Sequence, residues 1–138
     1  MHSLKITYDG YQHTTAVKEP GHKTVAIDCP FTGKGNEFSP ASLLGFSLAS
    51  CMLLSMGAIA QRDQLNLHGT VVNVKITGMD QTFPHVDTIE LDFDIPRDFS
   101  DRNRKKLEMA AQLCPIMASF RDEITITVNY RYAVADAA

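Results

Sequence analysis

Three cysteines are the residues of this 138-residue chain best suited to nucleophilic or redox chemistry: Cys29, Cys51 and Cys114. The deprotonated thiol attacks peroxides and disulfides and binds metals, so its reactivity depends on what surrounds each sulfur. The cysteines are too far apart in sequence for a CxxC redox motif or a paired zinc knuckle. Whether any of them reacts therefore depends on the elements that position them.

Each cysteine has a structural interpretation and a chemical one. Cys51 falls in the middle of a predicted helix, in a stripe of small residues formed by Ser47, Cys51, Ser55 and Ala58. This position suits either close packing or a site thiol. Cys114 precedes Pro115 and is predicted at the N-cap of a short helix, where the N–H groups lower a thiol pKa; the alternative is a buried helix junction. Cys29 ends a predicted strand on its apolar face, and we expect it in the core.

The elements follow from hydrophobic periodicity. Three segments of alternating polarity, LKITY, HTTAV and KTVAIDC, predict an antiparallel meander. Ser39-Pro40 predicts the start of a helix that runs to about Asp63. VVNVKIT and TIELDFDI predict two further strands, Ser100 the cap of a second helix that ends near Leu113, and EITITVNYRY a last strand. The pattern predicts an α+β fold, in a single domain over residues 1–138.

Composition narrows the function classes. A formal net charge of -3 gives no electrostatic reason to expect nucleic-acid binding. The uncharged run from Phe38 to Gln61 is long enough to span a bilayer, but its serines and glycines favour a buried helix. The start, MHSLKITYDG, predicts no signal peptide and a cytoplasmic location. The five histidines are scattered, so we expect no metal site and no bound cofactor.

Two separated segments carry a family resemblance. SPASLLGFSLASC, followed much later by AAQLCPI, resembles the OsmC/Ohr family of osmotically inducible and organic hydroperoxide resistance proteins. The resemblance implies antiparallel sheets around a long central helix and an intertwined homodimer with its sites at the dimer interface. It also implies that Cys51 is the peroxidatic thiolate and Cys114 the resolving thiol, in a protein that reduces organic hydroperoxides in oxidative-stress defence. A lipoyl-bearing protein would be the external dithiol reductant.

The chain departs from the peroxidase-type pattern at two positions. Such members have a glutamate just after the proline, where this chain has Ala41, and an arginine in the N-terminal hairpin region, whereas no arginine precedes Arg62 here. The residues that could assist the cysteine pair instead are Glu37, Lys18 and His13. These departures leave two alternatives open: a non-catalytic protein that binds a small hydrophobic ligand at the dimer interface, and a dithiol redox sensor.

Overall fold

The computed structural model describes residues 3–79 and 85–135, which form two compact units, Met1–Leu44 and Gly45–Ala138. The strands are β1 (Ser3–Gly10), β2 (His13–Glu19), β3 (Lys23–Asp28), β4 (Val71–Gly78), β5 (Val86–Asp94) and β6 (Thr125–Arg131). The helices are α1 (Pro40–Arg62) and α2 (Asp101–Gln112), with a short 3-10 helix at Met117–Ser119. The predicted mixture of strands and helices is confirmed.

The first unit contains the predicted meander, an antiparallel sheet in the order β1-β2-β3. Gly10 pairs with His13, so Tyr11 and Gln12 form a two-residue connection in which both have positive φ, 52° and 61°. That backbone geometry matches the right-handed twist of the flanking strands, although glycine or asparagine is the usual occupant. The connection therefore closes β1 onto β2 and holds the ends of these strands together.

The second unit contains a mixed sheet in the order β4-β5-β6. β4 and β5 are antiparallel, whereas β5 and β6 are parallel, with Ile89 opposite Ile126. This pair corrects the expectation that all the sheets would be antiparallel. Parallel neighbours need a long crossover connection, and here α2 lies within the segment that joins β5 to β6.

The core of the second unit is built as the periodicity predicts. The alternate residues Ile89, Leu91, Phe93 and Ile95 are fully buried. From α1, the buried residues are Gly45, Leu48, Ala49, Met52, Met56 and Ala60, and from α2 they are Leu107 and Ala111. One face of α1 thus packs into a core with β5 and α2, and this packing positions Cys51 on the helix.

The start of α1 is fixed by the predicted cap, since the Ser39 hydroxyl accepts a hydrogen bond from the Ser42 N–H at 3.1 Å. The helix has 23 residues and is long and apolar enough, by length and composition, to cross a membrane. The same test is passed by core helices of soluble proteins. One face of the helix, with six of its 23 residues buried, packs into the core of the second unit.

Two side chains differ in their exposure from what the sequence pattern predicts. Asp94, predicted on the solvated face of β5, is only 7% exposed and forms an ion pair with Arg131 at 2.6 Å. Leu113, at the predicted end of the second helix, is 75% exposed, and α2 ends one residue before it, at Gln112.

Candidate active site

Cys51 lies near the middle of α1 and is half-buried against the core. Its backbone carbonyl accepts a hydrogen bond from the Ser55 hydroxyl at 2.9 Å, one turn further along the helix. Met52 beside it is fully buried, so the helix cannot rotate without disrupting the core. Cys51 is therefore held on a rigid element with part of its side chain accessible.

Cys114 is 1% exposed and follows the last turn of α2. Its N–H donates to the Ala111 carbonyl at 3.3 Å, and its sulfur accepts from the Met117 N–H at 3.3 Å. The sequence predicted Cys114 at the N-cap of a short helix, but the structure has a three-residue 3-10 turn whose cap is Ile116. The sulfur thus receives one capping hydrogen bond without the dipole of a full helix.

Burial decides the acidity of Cys114. Removal from water disfavours the thiolate and raises the pKa of Cys114, and this outweighs the hydrogen bond from Met117. The neighbouring Cys51 side chain raises the pKa of Cys114 further. The predicted N-cap position would lower the pKa of Cys114, whereas in the structure the pKa of Cys114 is raised. Cys114 is a protonated thiol at neutral pH.

The structure brings the two predicted site cysteines together, since the Cys51 side chain lies near enough to Cys114 to raise the pKa of its thiol. Both cysteines are free, and both lie in the second unit. A protonated thiol next to a more accessible one can donate a proton and later form a disulfide with it. Of the main influences on the pKa of Cys114, none is a basic side chain.

Tyr130 is a neighbour of this pair that the sequence placed only in the core. Its ring packs against Phe93, with centroids 5.1 Å apart, and its hydroxyl is buried without a well-formed hydrogen bond among residues 3–79 and 85–135. Burial raises the pKa of Tyr130, and negative charge at Glu108 or Cys114 would raise it further. The alternation of β6 pointed Tyr130 inward, but nothing in a strand pattern indicates which inward residue meets a cysteine.

The three auxiliary candidates all lie in the first unit. His13 begins β2 and its ring nitrogen Nδ1 lies 2.9 Å from the Asp9 carboxylate. Lys18 is exposed on β2, and Glu37 is exposed in the segment between β3 and α1. Their assistance to the cysteine pair stays a prediction.

Cys29 follows the end of β3 and is half-buried, but it is outside the core cluster that the described residues form. The core placement expected from the strand pattern is therefore wrong. A hydrogen bond from the Thr32 side chain, helped by the N–H groups of Thr32 and Phe31, lowers the pKa of Cys29. A cysteine followed by a tight turn receives these donors because the turn folds back on the sulfur.

Within the described part of the chain, no group of three histidine, cysteine, aspartate or glutamate side chains is arranged to hold a metal ion.

The family model described as OsmC-like protein matches residues 33–129, a range that contains both site cysteines. A crystal structure from Psychrobacter arcticus, of a protein named provisionally for an osmotic stress induced and detoxification response, is 29% identical, with a TM-score of 0.88 over 95% of this chain and 96% of that one. The OsmC like protein of Mycoplasma pneumoniae is 18% identical, with a TM-score of 0.78 over 97% and 98% of the two chains. The organic hydroperoxide resistance protein OhrB of Bacillus subtilis is 13% identical, with a TM-score of 0.70 over 95% and 98%. Among curated proteins, no sequence matches this chain.

Proposed function

Because the chain belongs to the OsmC-like protein family, we propose that it is a thiol-dependent peroxidase that reduces organic hydroperoxides through Cys51 and Cys114. Family membership supports the coarser statement, a redox role in the response to stress. The closeness of Cys51 to Cys114, seen in its effect on the pKa of the Cys114 thiol, is the observation that carries the finer proposal.

The difference between the two thiols supports a division of labour. Cys51 is the more accessible sulfur and attacks as the thiolate, whereas Cys114 is buried and holds its proton. The Cys51 thiolate forms a bond to the outer peroxide oxygen, the O–O bond breaks, and the alkoxide leaves as the alcohol once it takes up a proton. The thiol of Cys114 is a suitable proton source because it lies near Cys51 and its raised pKa keeps it protonated.

The second step uses the same adjacency. Cys51 is left as a sulfenic acid, and the Cys114 thiolate, which has given its proton to the alkoxide, attacks the sulfenic sulfur to form the disulfide. The hydroxide that leaves takes up from solvent the proton that Cys51 lost on ionisation and is released as water. The balance is one hydroperoxide and two thiols consumed, with one alcohol, one water and one disulfide formed. An external dithiol then returns both cysteines to thiols by exchange, and we propose a lipoyl-bearing protein in that role.

The decisive experiment measures consumption of cumene hydroperoxide with dihydrolipoamide as reductant. We expect the wild type to turn over, Cys51→Ser to be inactive, and Cys114→Ser to give a single turnover that ends at the sulfenic acid. Cys29→Ser is the matched control, since Cys29 lies in the other unit, and it should keep wild-type turnover. A wild type no faster than Cys51→Ser would refute the proposal.

The dithiol redox sensor stays a second candidate, favoured by the lack of a basic side chain among the main influences on Cys114. A sensor of this kind would form the Cys51–Cys114 disulfide as readily with a disulfide reagent as with a peroxide. Comparing the rates of disulfide formation by cumene hydroperoxide and by oxidised lipoamide separates the two functions. A strong preference for the peroxide supports the peroxidase.

We also propose that the protein acts as a homodimer in the cytoplasm. Large apolar side chains are exposed on both units of the isolated protomer, Leu4 and Ile6 on the first and Leu54 and Met109 on the second. Apolar surface of this extent is typical of a face that another chain covers.

A further inference from the structure

The first unit contains a pocket that the cysteine chemistry does not use. Its volume is about 360 Å³, at the lower end of the range for small-molecule sites. Its lining comes from the β1–β2 connection, the end of β3 and the segment after it, with Asp9, Tyr11, His13, Asp28, Lys34 and Glu37 among the side chains. All of these residues lie within Met1–Leu44.

Asp28 is the side chain in this pocket whose bonding is incomplete. It is only 4% exposed, and its Oδ2 accepts a hydrogen bond from the Asn36 N–H at 3.0 Å. Its Oδ1 is buried with no hydrogen-bond partner in the described residues. A buried carboxylate oxygen without a donor is costly, so a ligand that supplies a donor would bind with that cost removed.

The charged side chains that line the pocket favour a positively charged ligand. Three carboxylates, Asp9, Asp28 and Glu37, line it against one lysine, Lys34. His13 is already engaged with Asp9, so it adds no free cation for Asp28. A ligand with positive charge and N–H donors would satisfy the Asp28 oxygen and balance the excess of carboxylates.

The same carboxylates do not make a metal site. No three acidic, histidine or cysteine side chains of the described residues converge as metal ligands. Tyr11, 91% exposed in the β1–β2 connection, also lines the pocket and offers a ring face that suits an organic cation. We propose that this pocket binds a small organic cation, with an ammonium or guanidinium group donating to Oδ1 of Asp28.

The test titrates putrescine into the full-length, isotope-labelled protein and follows backbone amide resonances by NMR. The neutral isostere 1,4-butanediol is the ligand control. We expect putrescine to shift the Asn36 and Gly10 amides with saturation, and butanediol to leave them unchanged. Non-saturating shifts, or equal shifts from both compounds, would overturn the proposal.

Variants locate the binding group. Asp28→Asn keeps an acceptor for the Asn36 N–H and removes the charge, and we expect it to weaken putrescine binding by about tenfold or more. Lys34→Gln removes the like charge and should tighten binding. Asp122→Asn, an exposed acid of the second unit, is the matched control and should bind as the wild type does. Unchanged affinity in Asp28→Asn would refute the assignment; if that variant does not fold, Glu37→Gln must weaken binding several-fold or the proposal fails.

Discussion

The cysteines of this chain differ in acidity because their surroundings differ in two separate respects. Cys114 is buried, which disfavours its thiolate, whereas Cys29 is supplied with hydrogen-bond donors by the turn that follows it. The pKa of Cys114 is raised and that of Cys29 is lowered from the ordinary value of 9.0. Reactivity toward a simple electrophile therefore need not report which cysteine serves the proposed peroxidase reaction.

We predict that, as the pH is raised, Cys29 is modified at a lower pH than Cys114. A lowered pKa means that the thiol is half-ionised at a pH below 9.0, and a raised pKa means that half-ionisation is reached only above this value. Modification by methyl methanethiosulfonate, resolved by peptide mass spectrometry from pH 6 upward, should give a midpoint for Cys29 below that for Cys114. Coincident midpoints would contradict the environments described for the two sulfurs.

The Thr32 hydroxyl is predicted to account for most of the acidity of Cys29. Thr32→Val keeps the shape of the side chain and removes the donor, so the midpoint for Cys29 modification should rise toward 9.0. The midpoint for Cys114 in the same sample is the internal control and should stay in place. No movement for Cys29 would mean that the backbone N–H groups suffice to stabilise its thiolate.

At the scale of elements, α1 shows how close packing positions a site residue. Gly45 is buried in its first turns, and a Cβ there would lie 2.8 Å from Ile76 Cδ1 and 2.9 Å from Val74 Cγ1. The absence of a side chain therefore lets the helix approach β4. Cys51 lies less than two turns further along the same helix, so its placement depends on this approach.

Gly45 and Gly57 form a matched pair for testing this packing. Alanine improves helix propensity by about 1 kcal/mol at either position. At Gly57 a Cβ meets nothing within 4 Å, so Gly57→Ala should stabilise the protein. At Gly45 overpacking opposes the gain, and we expect Gly45→Ala to be less stable than Gly57→Ala by about 1–3 kcal/mol. Urea unfolding with an unchanged m-value provides the measurement, and equal midpoints would contradict the close approach.

Many features of the helices and strands could be predicted from local sequence patterns. Ser39-Pro40 marked the start of α1 because capping is a local interaction, and the inward residues of β5 followed from period-two alternation. The parallel pairing of β5 with β6 could not be read in this way, because alternation is the same in parallel and antiparallel strands. The burial of Asp94 was missed because its partner, Arg131, comes from a strand 37 residues away in sequence.

The candidate site was also predicted poorly wherever it depends on residues far apart in the sequence. The sequence offered Cys51 and Cys114 as a pair only through a family resemblance, since 63 residues separate them. It gave the wrong direction for the acidity of Cys114, because a cap is a local feature whereas burial depends on the whole core. The pocket around Asp28 could not be predicted from the sequence, because its lining combines residues from a turn, the end of a strand and a loop.

At the scale of the whole molecule, the isolated protomer leaves apolar residues exposed that a solitary protein would be expected to cover. Leu4, Ile6 and Tyr8 alternate along β1, yet they are 78%, 67% and 64% exposed. In the second unit Leu54 is 74% exposed on α1, close to the stripe of small residues that contains Cys51. A second copy of the chain would cover such surfaces and remove water from the neighbourhood of the Cys51 sulfur.

We therefore predict that a charge on the exposed face of α1 disrupts both assembly and activity. Leu54→Glu should shift the protein toward monomer in sedimentation velocity, because burying an unpaired carboxylate at an interface is costly. Met109→Glu places the same charge at an exposed apolar position of α2 and serves as the matched comparison. If α1 forms the contact, Leu54→Glu loses dimer and hydroperoxide turnover together, whereas Met109→Glu retains both. Dissociation by Met109→Glu alone would place the interface on α2, and a monomeric wild type with full turnover would show that the site is complete within one chain.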